Sequence, residues 1–169
     1  VAIGALALDA NTTADGNTAI GYNALTANTT GGISVAVGRN ALATQTTGGS
    51  NVAVGEQSMR YNTTGNTNTA VGQGSLYSNT TAHNNVSVGF NNMISNTTGT
   101  ENVAVGRQAL YTNTTTSYNT AIGDKALYYN AADNNTAVGH DALTATTTGG
   151  DNTSVGGGAL QSNTTGSSN

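Results

Sequence analysis

An all-β chain folded as a parallel β-solenoid of about ten 17-residue coils is what this sequence predicts, and three observations predict it. A glycine preceded by Val or Ile recurs as Gly4, Gly21, Gly38, Gly55, Gly72, Gly89, Gly106, Gly123, Gly139 and Gly156. Eight of the nine spacings are 17 residues, and one, Gly123 to Gly139, is 16. Around that glycine each unit approximates N-(T/V)-(A/S)-(V/I)-G-x-x-(A/S)-(L/M)-x-x-N-T-T-G-x-x. Finally, 36% apolar residues with a single Phe leave a conventional globular core thin. A disordered polar chain has no reason to hold register over ten units. A stack of repeats has one, since each unit buries its face only against its neighbours.

Within each coil the first element is a short strand, a triplet ending at the glycine. Its last residue is always β-branched, as in Ile20, Val37, Val54, Val71, Val88, Val105, Ile122 and Val138. Stacked coil on coil, these read as a ladder pointing into a narrow core. Two residues earlier stands Thr or Val, on the same face by period-two alternation. Four residues after the glycine the chain always places Leu or Met, among them Leu25, Leu42, Leu76, Leu110, Leu127 and Leu143. The two columns together predict a core two sheets thick.

The strand centre is always Ala or Ser: Ala19, Ala36, Ala53, Ala70, Ser87, Ala104, Ala121 and Ala137 in the interior coils. On this reading it points away from the core. A solvated face would tolerate Lys or Glu, so a column of small residues marks a surface approached closely by another subunit, or a coil too tight for anything larger. The invariant glycine marks a corner that needs unusual backbone angles or close approach. Asn-Thr-Thr-Gly then supplies turn formers. A second asparagine, at 17, 51, 68, 85, 102, 119, 135, 152 and 169, marks a third corner. Such asparagines can stack and pass amide hydrogen bonds from coil to coil. At ~4.8 Å per coil the rod is on the order of 50 Å long.

The short unit keeps Leu127, Asn130, Asn135 and Val138 in phase and loses one residue between Asn130 and Asn135. The deletion is expected to tighten an outer turn and spare the core ladder. Residues 1–169 read as one repetitive domain. Asn169 would run into Val1 without breaking the pattern, so the reading is a slice of a longer array or a unit that stacks end to end.

Composition narrows function. Lys plus Arg number 4 and Asp plus Glu 8, a net charge of −4, without the basic footprint of a nucleic-acid binder. There is no Cys, and no apolar run approaches the ~20 residues of a membrane span. His83 and His140 occupy different phases several coils apart, and the acids scatter without the GGxGxD spacing of a calcium roll. No nucleophile–base–orienter set is visible. The expectation is a protein that is not an enzyme and uses no metal or cofactor.

At "SVAVG" (34–38), "NVAVG" (51–55 and 102–106) and "NVSVG" (85–89) the sequence resembles the head repeats of YadA-type trimeric autotransporter adhesins, which carry S-V-A-I-G in each coil. The full unit is similar to repeat arrays in tail-fibre and secreted surface proteins of bacteria and phages. The resemblance spans the chain and implies a left-handed β-roll, trimeric, with the small strand-centre residues facing neighbouring subunits. It departs in coil length, since the adhesin-head coil is shorter than 17 and the added residues lie in Asn-Thr-Thr-Gly. Several copies also read N-T-A-(V/I)-G, so architecture carries over and matrix binding does not.

Two surfaces remain. Tyr61, Tyr77, Tyr111, Tyr128 and Tyr129 fall five or six residues after their glycines and form a partial aromatic stripe, for contact with a sugar or partner or for lateral packing. Asn11, Asn28, Asn62, Asn79, Asn96, Asn113 and Asn163 stand in N-x-(S/T) sequons, as do Asn85, Asn134 and Asn152, and are candidate glycosylation sites beside their plainer role in a turn ladder. The leading expectation is a non-catalytic structural protein, self-associating, that forms an extracellular fibre, stalk or adhesin shaft on a cell surface or virion. The alternative is an adhesin module recognising matrix or glycan through a repetitive surface, with ice binding by the threonines a third reading.

Overall fold

The computed structural model describes all 169 residues. Ten short parallel strands stack in chain order into one sheet: β1 (Ala2–Ile3), β2 (Thr18–Ile20), β3 (Val35–Val37), β4 (Val52–Val54), β5 (Thr69–Val71), β6 (Val86–Val88), β7 (Val103–Val105), β8 (Thr120–Ile122), β9 (Thr136–Val138) and β10 (Thr153–Val155). Every pairing sets like on like: Ala36 lies beside Ala53, and Val37 beside Val54. The chain is therefore a β-solenoid of about nine turns, with no helix.

Two sheets are not present. Only 17 of the 105 backbone hydrogen bonds lie within the strands, so most of the rod's cohesion runs through its turns. Opposite the sheet, the wall is made of residues that reach the neighbouring coil singly: Leu25 N donates to Ala41 O (3.0 Å), and Thr29 N to Thr46 O (3.0 Å). Each aliphatic residue on this wall is left-handed, with φ of 51° at Leu25, 50° at Leu42 and 52° at Leu110. That conformation costs a non-glycine residue roughly 1–3 kcal/mol and persists where packing over-determines it. It turns Leu inward once per coil. Leu25, Leu42, Leu76, Leu110, Leu127 and Leu143 are all fully buried, as are Met59 and Met93.

The face of the strand is the reverse of the sequence reading. Ala19, Ala36, Ala53, Ala70, Ser87, Ala104, Ala121 and Ala137 are fully buried inside the coil, so they cannot touch a neighbouring subunit. The β-branched column Ile20, Val37, Val54, Val71, Val88, Val105, Ile122 and Val138 points outward, half-buried by its own neighbours along the ladder. Ile20 is 37% exposed and Ile122 40%. The reason is space. The Leu/Met column fills the interior from the far wall, and the strand centre can offer only a methyl or a hydroxymethyl.

The corner after the strand requires glycine. At Gly38 φ is 134°, and an added Cβ would sit 2.5 Å from Gly55 O. No side chain fits between coils stacked this closely.

Candidate functional site

Half of the buried side chains are polar rather than hydrocarbon, and most of the polar ones are asparagine amides. The first asparagine of each coil points inward: Asn79 Nδ2 donates to Asn62 Oδ1 (2.8 Å), Asn96 Nδ2 to Asn79 Oδ1 (3.3 Å), and Asn113 Nδ2 to Asn96 Oδ1 (3.0 Å). The second asparagine bridges three coils. Asn68 N and Nδ2 both donate to Asn51 Oδ1 behind it (2.9 and 3.2 Å), and Nδ2 also donates to Ala82 O ahead (2.8 Å). Each buried amide of these two columns finds a partner one coil away, which is how a chain of this composition buries polar groups at little cost.

Around Gly38 both asparagines are replaced together. Ser34 replaces the second asparagine, and Gln45 replaces the first asparagine of the following coil. Ser34 is too short to complete the ladder. Gln45, one methylene longer than Asn, reaches back to Ser34 Oγ (3.3 Å) while holding Asn28 Oδ1 (3.4 Å) and accepting from Asn51 Nδ2 (2.9 Å).

This geometry corrects the glycosylation sites. Asn28, Asn62, Asn79, Asn96 and Asn113 are fully buried, and the Nδ2 that would carry a glycan is a donor inside the rod. Asn11 and Asn163 are half-buried, with Nδ2 committed to Ala14 O (3.1 Å) and Gly166 O (2.9 Å). At the five fully buried positions a folded coil leaves no amide open to a glycan. The threonines that follow diverge. The first donates along the rod, as Thr63 Oγ1 does to Thr80 O (3.0 Å), and the second, such as Thr64 or Thr98, faces solvent.

The short coil behaves as the sequence predicts. Asn130 keeps its bond to Asn113 Oδ1 (3.2 Å) and closes its turn on Ala132 O, two residues on, where regular coils close three residues on. The strand register of β8 on β9 is unbroken and Leu127 stays buried. The outer threonine ladder does break here, because Ala131 offers no hydroxyl.

The arginine–carboxylate pairs sit on one edge, at the residue after the corner glycine. Arg39 pairs with Glu56, and Arg107 pairs with Asp124 through two bonds of 3.1 and 2.9 Å, each partner one coil on. Arg107 holds the Asp124 carboxyl below the usual carboxylate range against an opposing effect of burial, with His140 and Lys125 adding to it. His140 lies 3.8 Å from Asp124 and 3.3 Å from Asp141, a meeting that a separation of one coil foretells. His83 stands alone and exposed. No set of three His, Asp or Glu side chains is placed to hold a metal ion.

The tyrosine stripe divides in two. Tyr61 and Tyr77 meet edge to face at 5.0 Å, with Arg60 over the Tyr61 ring at 5.4 Å. The next coil carries Ile94 and Ser95 at the stripe positions, and then Tyr111 stacks on Tyr128 at 4.9 Å, with Tyr129 against Tyr128 at 4.6 Å and 74°. The phenols of Tyr77 and Tyr128 are both raised, Tyr77 chiefly by its hydrogen bond with Tyr61 and Tyr128 chiefly by burial. Beside the second group opens the only cavity of the rod, about 260 Å³, lined by Gln108, Lys125, Tyr128, Tyr129, Asp141 and Thr144. The sequence shows the tyrosines; the cavity needs the third dimension, because its polar residues come from three successive coils.

No protein-family model, curated protein or solved structure matches the chain.

Proposed function

We propose that this chain is a non-catalytic, self-associating shaft: a stiff segment of an extracellular fibre, stalk or adhesin on a cell surface or virion. The observation that carries the proposal is the outer face of the sheet. Its two columns hold only Val, Ile and Thr over all ten coils, without one charged residue, and both face outward. Parallel sheets are as a rule covered on both faces. At ~4.8 Å per rung and about 10 Å per strand triplet the strip measures roughly 48 by 10 Å, which reaches the largest apolar patches that monomers leave exposed. The occupant proposed is a second copy of the same face, since a repeating strip is complementary to itself at every coil. This moves the contact from the Ala/Ser column to the Val/Ile column.

Stiffness follows from the same repetition. Backbone bonds, two asparagine ladders and a threonine ladder all run along the axis, so bending the rod strains every one of them. Four Lys and Arg residues in the whole chain offer few basic sites to proteases.

Sedimentation equilibrium on the wild-type chain and on a Val71→Lys/Val88→Lys double variant tests the contact. The expected result is an oligomeric wild type and a monomeric variant with unchanged circular dichroism. A wild type that stays monomeric at ~100 µM removes the self-association reading. A second reading, a module that recognises a ligand, is favoured by one observation, the tyrosine-walled cavity.

A further inference from the structure

We propose that the cavity at the short coil is a carbohydrate subsite that takes one uncharged pyranose ring. The inference does not depend on self-association, because the cavity lies on the turn wall and not on the outer face of the sheet.

The first argument is shape. Tyr128 and Tyr129 are consecutive residues whose rings meet at 74°, so they form a corner, with Tyr128 backed on its other side by the parallel ring of Tyr111. The next coil presents Thr144 and Ala145 at the same two positions, and these small side chains leave the corner open. A volume of about 260 Å³ falls just below the ~300–1,000 Å³ of sites for drug-sized ligands, as suits a single ring.

The second argument is chemistry. A pyranose carries an apolar face of C–H groups whose positive edge suits the negative face of an aromatic ring. Its rim carries hydroxyls that both donate and accept. Facing the tyrosines are Gln108, Lys125 and Asp141, one from each of three stacked coils, all left-handed at φ of 58°, 56° and 56°. They supply an amide, an ammonium and a carboxylate on one line. Lys125 has no ion-pair partner, and Asp141 uses one oxygen toward His140 at 3.3 Å, leaving the other free. The Asp141 carboxylate accepts from sugar hydroxyls, and Lys125 and Gln108 donate to them. Because the two charges cancel locally, an acidic sugar gains from Lys125 what it loses to Asp141, and an uncharged ring uses both.

Nothing comparable exists at Tyr61 and Tyr77, where Arg60 lies over the Tyr61 ring and no cavity opens. That pair is the internal control. The test is a printed array of neutral hexose- and N-acetylhexosamine-terminated oligosaccharides beside sialylated and uronic-acid glycans. It is followed by an NMR titration of the full chain with the methyl glycoside of the terminal sugar of any hit. The expected result is binding to neutral glycans, weakened at least tenfold by Tyr129→Ala and by Asp141→Asn and unchanged by Tyr61→Ala. Tyr129 is 53% exposed, so its truncation leaves the core untouched. Absence of binding at millimolar sugar, binding confined to acidic glycans, or equal loss in Tyr61→Ala overturns the assignment.

Discussion

Replacing Asn96 by Ala in the middle of the rod tests whether the buried amides hold the coils together. Asn96 Nδ2 donates to Asn79 Oδ1 (3.3 Å) and to Gly99 O (3.0 Å), while its Oδ1 accepts from Asn113 Nδ2 (3.0 Å). Truncation removes all three bonds, but the damage is unequal. Gly99 O keeps the bond from Asn85 Nδ2 (2.9 Å), and Asn113 Nδ2 keeps Thr116 O (3.1 Å). Asn79 Oδ1 loses its only donor and is left unpaired in a site water does not reach. One orphaned acceptor and one half-satisfied donor, at ~1–3 kcal/mol for a fully unsatisfied group, give a loss of about 2–4 kcal/mol. Thr98, two residues away on the exposed side of the same turn, makes no side-chain hydrogen bond, and Thr98→Ala should cost under ~0.5 kcal/mol. Urea unfolding of both variants measures the difference. Amide exchange should show the loss concentrated in the coils on either side of Asn96, since a solenoid's stability is a sum over neighbours. The reasoning is falsified if the two variants unfold within ~0.5 kcal/mol of each other.

Asn92 is the opposite case. It occupies a position where other coils carry Ala or Ser, and its Oδ1 is the one buried side-chain polar atom without a partner. Its Nδ2 donates to Ala104 O (3.0 Å), a bond that Ser58 and Ser75 make with Oγ at the equivalent carbonyls (3.1 and 2.9 Å). Asn92→Ser should keep the bond, remove the orphan and raise stability by about 1 kcal/mol in the same urea assay. The inverted strand face predicts a parity effect. Ala70→Val overpacks the interior and should cost about 1–3 kcal/mol, whereas Val71→Thr on the outer face should change monomer stability by less than ~0.5 kcal/mol; equal thermal shifts would contradict the burial. Asp124 has its carboxyl lowered in the fold, so its contribution is present above the unfolded carboxylate range and disappears as pH falls through the lowered value. The pair is exposed, so the effect should be small and should vanish in Arg107→Gln and at high salt; acid titration followed by circular dichroism reads it.

Much of the architecture was legible because it depends on counting. The 17-residue spacing sets Ala36 beside Ala53 and Leu25 beside Leu42, and the missing residue after Asn130 had to fall in a turn if Leu127 and Val138 were to keep their places. The sequons misled for a local reason. Asn-x-Thr describes three residues, while the fate of the amide rests on a residue one coil away, as with Asn96 and Asn79. The tyrosine stripe was visible, but not the cavity beside Tyr129, whose wall comes from Gln108, Lys125 and Asp141.

By itself the sequence determined the period, the parallel in-register stacking, the inward aliphatic column and the turn that absorbs the deletion. Each of these is a statement about which residue repeats. It also determined that the strand's two faces differ, since alternation is a property of the backbone. Which face looks inward was decided by tertiary structure. Val and Ile are the more apolar residues, yet the left-handed Leu on the far wall has already taken the interior, and the space remaining admits only the Ala and Ser of the strand centre. Apolar residues seek burial, but the width of the coil sets which of them obtain it within the chain and which must find it against another surface.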